Sequence, residues 1–309
     1  MKRKTVYQGL FPLLTAFIWG SSFVTQSLAA GTIGAFAFNA SRGMIASVEL
    51  LIAVLLLRRM RPRVQSASEK KKSRHDLLLG GMICGAIFMV ASNLQQYGIE
   101  SNTSSGKAGF ITALYIVIVP LLGLYFRKRV RPLIWISVVI ALGGLYLLCF
   151  TPGASLAFSD GDFYVFLGSL FFSAHILAID YFTQKVDGIE LSCAQFIVMT
   201  LLSFVCALLF DRQTTLSDIA AGLPYILYVG VLSSGLGYTL QILAQREGDP
   251  TVVSLLLSTE SLFAAVSGAL ILHERLAGRE YSGCALMLCA VILAQLPERK
   301  RRVDLPDNV

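Results

Sequence analysis

Mainly apolar runs, separated by short polar gaps, fill almost the whole chain. They fall at about 9–29, 33–57, 76–97, 106–126, 132–150, 162–182, 190–210, 222–244, 251–272 and 277–296. A helix needs roughly 20 such residues to cross a hydrocarbon core, so the pattern predicts ten transmembrane helices and an all-α membrane protein. The longest polar gap is 58–75, "RRMRPRVQSASEKKKSRH", which is too short for a catalytic module and reads as a solvated cytoplasmic loop. The first run has a basic start and small residues after it, as a signal peptide would. Its apolar part is too long for that, and it is read as the first membrane helix.

Two of the runs are written alike. "AGFITALYIVIVPLLGLYFRKRVR" (108–131) and "SLLLSTESLFAAVSGALILHERLAGR" (254–279) share length and hydropathy at an offset of about 146 residues, but only the first ends in a basic cluster. Ten helices divide into two fives, and an odd number of spans inserts the second five upside down. The fourth helix then ends in the cytoplasm, where Lys and Arg are favoured, and the ninth ends outside. At this offset Leu94–Gln95 fall on Leu240–Gln241 and Arg129 on Arg275. The predicted organisation is a cytoplasmic N-terminus (1–8), a first repeat (9–150), an outer loop (151–160), a second repeat (161–296) and a basic cytoplasmic tail (297–309). Inverted repeats of this kind characterise secondary transporters, whose sites lie near the midplane between the halves.

Charge supports the orientation. Of the 26 Lys and Arg residues, 21 lie in segments 1–8, 58–75, 127–131, 183–189, 245–250 and 297–309. Four (Lys107, Arg212, Arg275 and Arg279) lie on the other side, and Arg42 sits inside a helix. Both termini are therefore expected in the cytoplasm. Only 15% of the 309 residues are charged and 55% are hydrophobic, against roughly 25% charged in a soluble domain. The net charge of +7 sits in the gaps and forms no basic stripe with interleaved aromatics, so no nucleic-acid partner is expected. The predicted partners are the lipid bilayer and a small-molecule substrate, with a homo-oligomer left open.

Ionisable groups are costly in a membrane and usually face a cavity or a partner. Arg42, in the outer half of the second helix, and Glu260, near mid-depth in the ninth, are placed to meet across the repeat interface. They form either a substrate-carboxylate site with its counter-ion or a structural pair. Lys107 opens the fourth helix, where the helix dipole disfavours a cation; it either snorkels or attracts substrate. Glu49 lies two turns beyond Arg42, and its partner would come from another helix. His175 is read as a proton relay, a substrate contact or an interhelical bond. Asp180, roughly 140° away around the same helix, reads as interfacial.

Polar stripes add candidates: Ser234, Tyr238, Gln241 and Gln245 on the eighth helix, and Asn93, Gln96 and Glu100 on the third with Gln95 beside them. Ser22 and Gln26 mark the first helix, and Asn39 stands a turn before Arg42. The candidate substrate pathway is Gln26, Asn39, Arg42, Asn93, Gln95, Gln96, Lys107, Tyr115, His175, Tyr238, Gln241 and Glu260. The proton-coupling candidates are Glu49, His175, Asp180 and Glu260. Ser254, Ser258, Ser261, Ala265 and Gly268 read as a close-packing stripe. The cysteines (84, 149, 193, 206, 284 and 289) lack CxxC spacing and read as small hydrophobes. Neither a zinc cluster nor a P-loop is written, and no cofactor is expected.

"WGSSFV" (19–24), "FNASR" (38–42), "GKAGFITALYIVIVP" (106–120) and "SLLLSTESLFAAVSGALILHERL" (254–276) together resemble the EamA pattern, a ten-helix family of the drug/metabolite transporter superfamily. "AHILAIDYF" (174–182) and "SSGLGYTLQILAQ" (233–245) are similar to a bacterial subgroup of it. The family often has Pro after the Glu of the ninth helix; Ser261 stands there, which removes the expected cause of a kink, while Pro120 keeps one in the fourth. The resemblance implies a two-repeat basket in the bacterial plasma membrane that exports small metabolites such as amino acids. An uncoupled facilitator of the same fold is the first alternative. An intramembrane enzyme is the second; it would need paired aspartates or a metal set, and Asp180 has no intramembrane aspartate to pair with.

Overall fold

In the computed structural model, residues 6–60, 67–101, 103, 105–125, 130–149, 159–271 and 278–296 are described, and these are helical apart from turns and short connections. The basic cluster at 127–129, Arg275, the loop at 151–158 and the tail at 297–309 lie outside them. Helix α1 (Phe11–Ala30) follows a π-helical turn (Val6–Leu10); α2 is Ala35–Met60 and α3 is Ala67–Glu100. Helix α4 runs in two pieces, Ser105–Ala113 and Tyr115–Tyr125, and α5 is Pro132–Cys149. Next come α6 (Asp160–Phe182), α7 (Gly188–Phe210) and a short helix, Leu216–Ala221. Helix α8 passes from Leu223–Leu227 through a π-helical stretch, Tyr228–Gly237, into Tyr238–Glu247. Helix α9 is split into Pro250–Leu257 and Glu260–Ile271, and α10 is Gly278–Gln295.

Seven of these helices are long and apolar enough to cross a membrane: α1, α2, α3, α4, α6, α7 and α8. Helices α5 and α9 give shorter apolar pieces, and α10 carries Arg279 and Glu280 in its first turn. The side chains are distributed inside out relative to a soluble protein. Leu201, Val205 and Leu208 of α7 point outward at 61%, 52% and 60% exposure, whereas Thr15, Asn39, Gln96, Gln195 and Gln245 are fully buried. An apolar exterior around buried amides is the arrangement that a lipid solvent selects. This is a multi-pass membrane protein.

The helices pair in a regular way. Helix α2 packs on α7 and α5 on α10; α3 packs on α6, and α8 on α1. Helix α4 lies against α6, and α9 against α1. Glycines permit the closest approaches. A Cβ on Gly20 of α1 would sit 2.4 Å from the Glu260 carbonyl oxygen, and one on Gly144 of α5 would sit 2.9 Å from the Gly283 oxygen of α10.

The two split helices break for local reasons. In α4 the α pattern lapses at Leu114, where the Leu114 N–H donates to the Ile111 carbonyl and the Val117 N–H to the Leu114 carbonyl, both i→i−3. The break comes six residues before Pro120, which lies within the second piece. Helix α9 breaks without any proline. The hydroxyls of Ser258 and Thr259 donate to the Leu255 and Leu256 carbonyls at 2.8 and 2.7 Å. Such short-range bonds give the backbone an alternative to its own ladder, and the chain turns there before Glu260 starts a new helix. The loss of Pro at Ser261 therefore does not keep α9 straight.

Candidate functional site

Between these irregular helices lies a small, partly open cavity, lined from α1, α2, α3, α4, α6, α8 and α9. Its α1 wall is Trp19, Ser22, Phe23 and Gln26, a single i, i+3, i+4, i+7 face. The other walls are Arg42 of α2, Gln95 of α3, Thr112 and Tyr115 of α4, and Phe172, His175 and Ile176 of α6. Ser233, Tyr238 and Gln241 of α8 and Leu257 and Glu260 of α9 close it.

Arg42 is the cavity's cation and is 3% exposed. Neither a hydrogen bond nor an ion pair holds it among the described residues, and its Nε is buried without a partner. The guanidinium lies 5.9 Å from the centre of the Phe38 ring. Glu260 is 2% exposed, and its Oε1 accepts a hydrogen bond from the Tyr115 hydroxyl at 3.1 Å. The expected Arg42–Glu260 pair is not formed: the two face one cavity from α2 and α9, with no N···O approach within 4.0 Å. The Tyr115–Glu260 bond instead joins α4 and α9 beside their breaks.

The remaining polar lining is partly fixed. The Gln95 amide donates to Thr112 Oγ1 at 2.9 Å, and His175 Nε2 lies 3.0 Å from Gln195 Oε1. The imidazole also stacks on Phe88 at 5.1 Å. Trp19 donates to the Ser233 carbonyl at 3.3 Å and packs on Tyr238 at 4.5 Å between ring centres. Gln241 Oε1 is buried without a partner.

Of the sequence-predicted pathway, Gln26, Arg42, Gln95, Tyr115, His175, Tyr238, Gln241 and Glu260 line the cavity, and Asn39, Asn93, Gln96 and Lys107 do not. Those four tie helices together. Asn39 donates to Asn93 Oδ1 and the Ser92 carbonyl, Asn93 to Ser203 Oγ of α7, and Gln96 to the Gln26 carbonyl. Glu100, on the same predicted face, accepts from the Ala35 N–H at the start of α2. Lys107 neither snorkels nor faces the cavity; its ammonium binds Asp162 of α6, a fully buried carboxylate that also accepts from Thr103 Oγ1. Among the proton-coupling candidates, Glu49 sits against Gly235 on the far side of α8, and Asp180 lies beyond the cavity toward the end of α6.

The eighth-helix stripe is displaced. An α-helical reading aligns Ser234 with Tyr238, but the π-helical stretch moves the shared face to i, i+5, and it is Ser233 that joins Tyr238 and Gln241. Trp19, Phe23, Thr112, Phe172, Ile176, Ser233 and Leu257 also line the cavity without having been expected. Trp19 and Phe23 were readable from the α1 periodicity, whereas Ser233 was not.

Residues 8–150 and 159–296 match the model of the EamA-like transporter family. An uncharacterized transporter of Archaeoglobus fulgidus is 27% identical over 298 residues, covering 95% of this chain and 87% of that protein. The uncharacterized transporter YwfM of Bacillus subtilis is 25% identical over 299 residues, covering 95% of each chain. In fold, the chain superposes on a crystal structure with a TM-score of 0.76 at 14% identity, covering 93% of this chain and 96% of the other. The chain thus belongs to the EamA-like transporter family, a membrane-transporter family of the drug/metabolite transporter superfamily.

Proposed function

We propose that this protein is a secondary transporter of the plasma membrane that exports small zwitterionic metabolites, such as amino acids, by alternating access. Ten helices form two inverted five-helix repeats, with both termini in the cytoplasm. The pairing of helices supports this reading: exchanging α1–α5 with α6–α10 turns the α3–α6 contact into α8–α1 and the α4–α6 contact into α9–α1. The breaks support it too, because Leu114 and Ser258–Thr259 fall within two residues of each other at the 146-residue offset. Discontinuous helices at the repeat interface are where secondary transporters place substrate.

The observation that carries the substrate reading is Arg42, a buried guanidinium that faces the cavity and has no hydrogen-bond or ion-pair partner among the described residues. A planar fork binds a carboxylate through two parallel hydrogen bonds, which an ammonium cannot reproduce. Glu260 and Gln241 Oε1 offer acceptors to a cationic group in the same space.

The test is uptake of a labelled amino-acid panel into proteoliposomes. Arg42→Ala should abolish uptake, and Arg42→Lys should impair it although the charge is kept. Arg42→Ala/Glu260→Ala protein that folds and transports at the unmodified rate would refute a substrate role for Arg42.

A further inference from the structure

Resting on the transport reading above, we infer that Glu260 is the proton-binding site of the cavity and that a proton and the cationic group of the substrate occupy it by turns. Among the four acid–base candidates, geometry singles out this carboxylate. Asp180 and Glu49 do not reach the cavity. His175 reaches it but is held by Gln195 and stacked on Phe88. Glu260 faces the cavity with the neutral Tyr115 hydroxyl as donor and, among the described residues, no cation within 4.0 Å.

The groups turned toward it are few. Helix α2 brings Arg42, α4 brings Tyr115, α6 brings His175 and α8 brings Tyr238, whereas α1 and α3 offer only uncharged side chains to the cavity. Helix α5 carries no charged residue beyond Arg131 before it, and Arg279 of α10 donates to the Tyr146 carbonyl. Lys107 is bound to Asp162.

The carboxyl is free to exchange occupants because it faces the cavity and the Tyr115 hydroxyl is the hydrogen-bond donor found on it among the described residues. The exchange makes and breaks only O–H and N–H···O contacts. The ionised carboxyl takes one proton from water entering the cavity and becomes neutral. When a substrate ammonium approaches, that proton returns to water and the carboxylate pairs with the ammonium. One proton moving inward then resets the site after each outward passage.

The chain provides its own reporter, because Trp19 lines the same cavity and Trp135 is its only other tryptophan. In full-length Trp135→Phe protein in lipid nanodiscs, without substrate, Trp19 emission should show a single transition when the pH is varied. Glu260→Gln should abolish this transition and His175→Gln should leave it. If Glu260→Gln does not fold, Tyr115→Phe decides, since losing the hydroxyl that donates to Glu260 must move the midpoint. A transition that survives Glu260→Gln, a midpoint unmoved by Tyr115→Phe, or a flat response in folded protein overturns the inference. The transport reading fails separately: protein that moves none of the amino-acid panel yet keeps a Glu260-dependent transition has a proton site but not the proposed substrate.

Discussion

The ion pair between Lys107 and Asp162 makes a quantitative prediction about how α4 and α6 are held. Asp162 is fully buried, and the Lys107 side chain is 18% exposed, so solvent screens the pair only in part. Two charges at contact interact by about 4 kcal/mol at an effective dielectric of 20, and removing one partner of a buried pair typically costs 3–5 kcal/mol. Here Thr103 Oγ1 at 3.1 Å and the Ser159 N–H at 2.8 Å continue to hold the carboxylate after the ammonium is lost. Lys107→Met should therefore cost roughly 2 kcal/mol, below that range.

Asp162→Ala should cost more, about 3–4 kcal/mol, because the carboxylate also closes the capping box with Ser159 at the start of α6, worth about 1 kcal/mol. The pair itself is isolated by a double-mutant cycle with Asp162→Asn, read as reversible unfolding in mixed micelles. The double variant should be less destabilised than the sum of the singles by at least about 1 kcal/mol. Strictly additive losses would show that the two residues meet without energetic consequence, and the clamp would have to be abandoned.

Two further outcomes follow from packing and capping. Gly20→Leu should force α1 away from the Glu260 carbonyl and lower both thermal stability and uptake, whereas Gly143→Ala, with nothing within 4 Å, should do neither; a stable, active Gly20→Leu protein would contradict the contact. Exposed Asp218 has its carboxyl held below the ordinary carboxylate range by the Thr215 hydroxyl and N–H. Its contribution to the Leu216–Ala221 helix is present at neutral pH and lost as pH falls through the lowered value, so hydrogen-exchange protection there, corrected for the intrinsic rate, should fall in acid. Thr215→Ala, which removes the hydroxyl but keeps the backbone N–H, should weaken that dependence, and an unchanged pH profile would refute it.

The membrane class and helix positions were legible because hydropathy is a one-dimensional signal, and most helices lie within or close to the apolar runs. The segment 58–75, expected as a loop, is instead helical to Met60 and again from Ala67, because its Glu and Lys residues extend α3 outward as good helix formers. The cavity was legible where a regular helix carries one face. Gln26, Arg42 and Gln241 follow from α-helical spacing and cavity-facing polarity. It was not legible where the backbone departs from that spacing, as in the π-helical stretch that replaces Ser234 by Ser233. Polarity alone also failed to separate two uses of an amide. Gln95 faces the cavity, while its neighbour Gln96 binds the Gln26 carbonyl in a helix contact. Adjacent residues on a helix point about 100° apart, and only the positions of the neighbouring helices decide which of them finds a partner. Asp162 was missed for another reason: "SDGD" (159–162) reads as a helix start, and its pairing with Lys107 spans 55 residues.

The distribution of regular and irregular backbone carries the last step. Helices α2, α3, α6 and α7 are uninterrupted and joined by hydrogen bonds such as Asn93–Ser203 and Ser47–Thr200, which makes them a fixed frame. The interrupted helices α4, α8 and α9 bring Tyr115, Tyr238 and Glu260 into the cavity, each within two residues of a break or a π-to-α junction. A lapsed helical ladder is where a helix bends at least cost. A carrier built this way would change access by bending α4, α8 and α9 against the frame, and the Tyr115–Glu260 bond joins two of the three. Whatever occupies Glu260 therefore acts directly on the elements that would have to move.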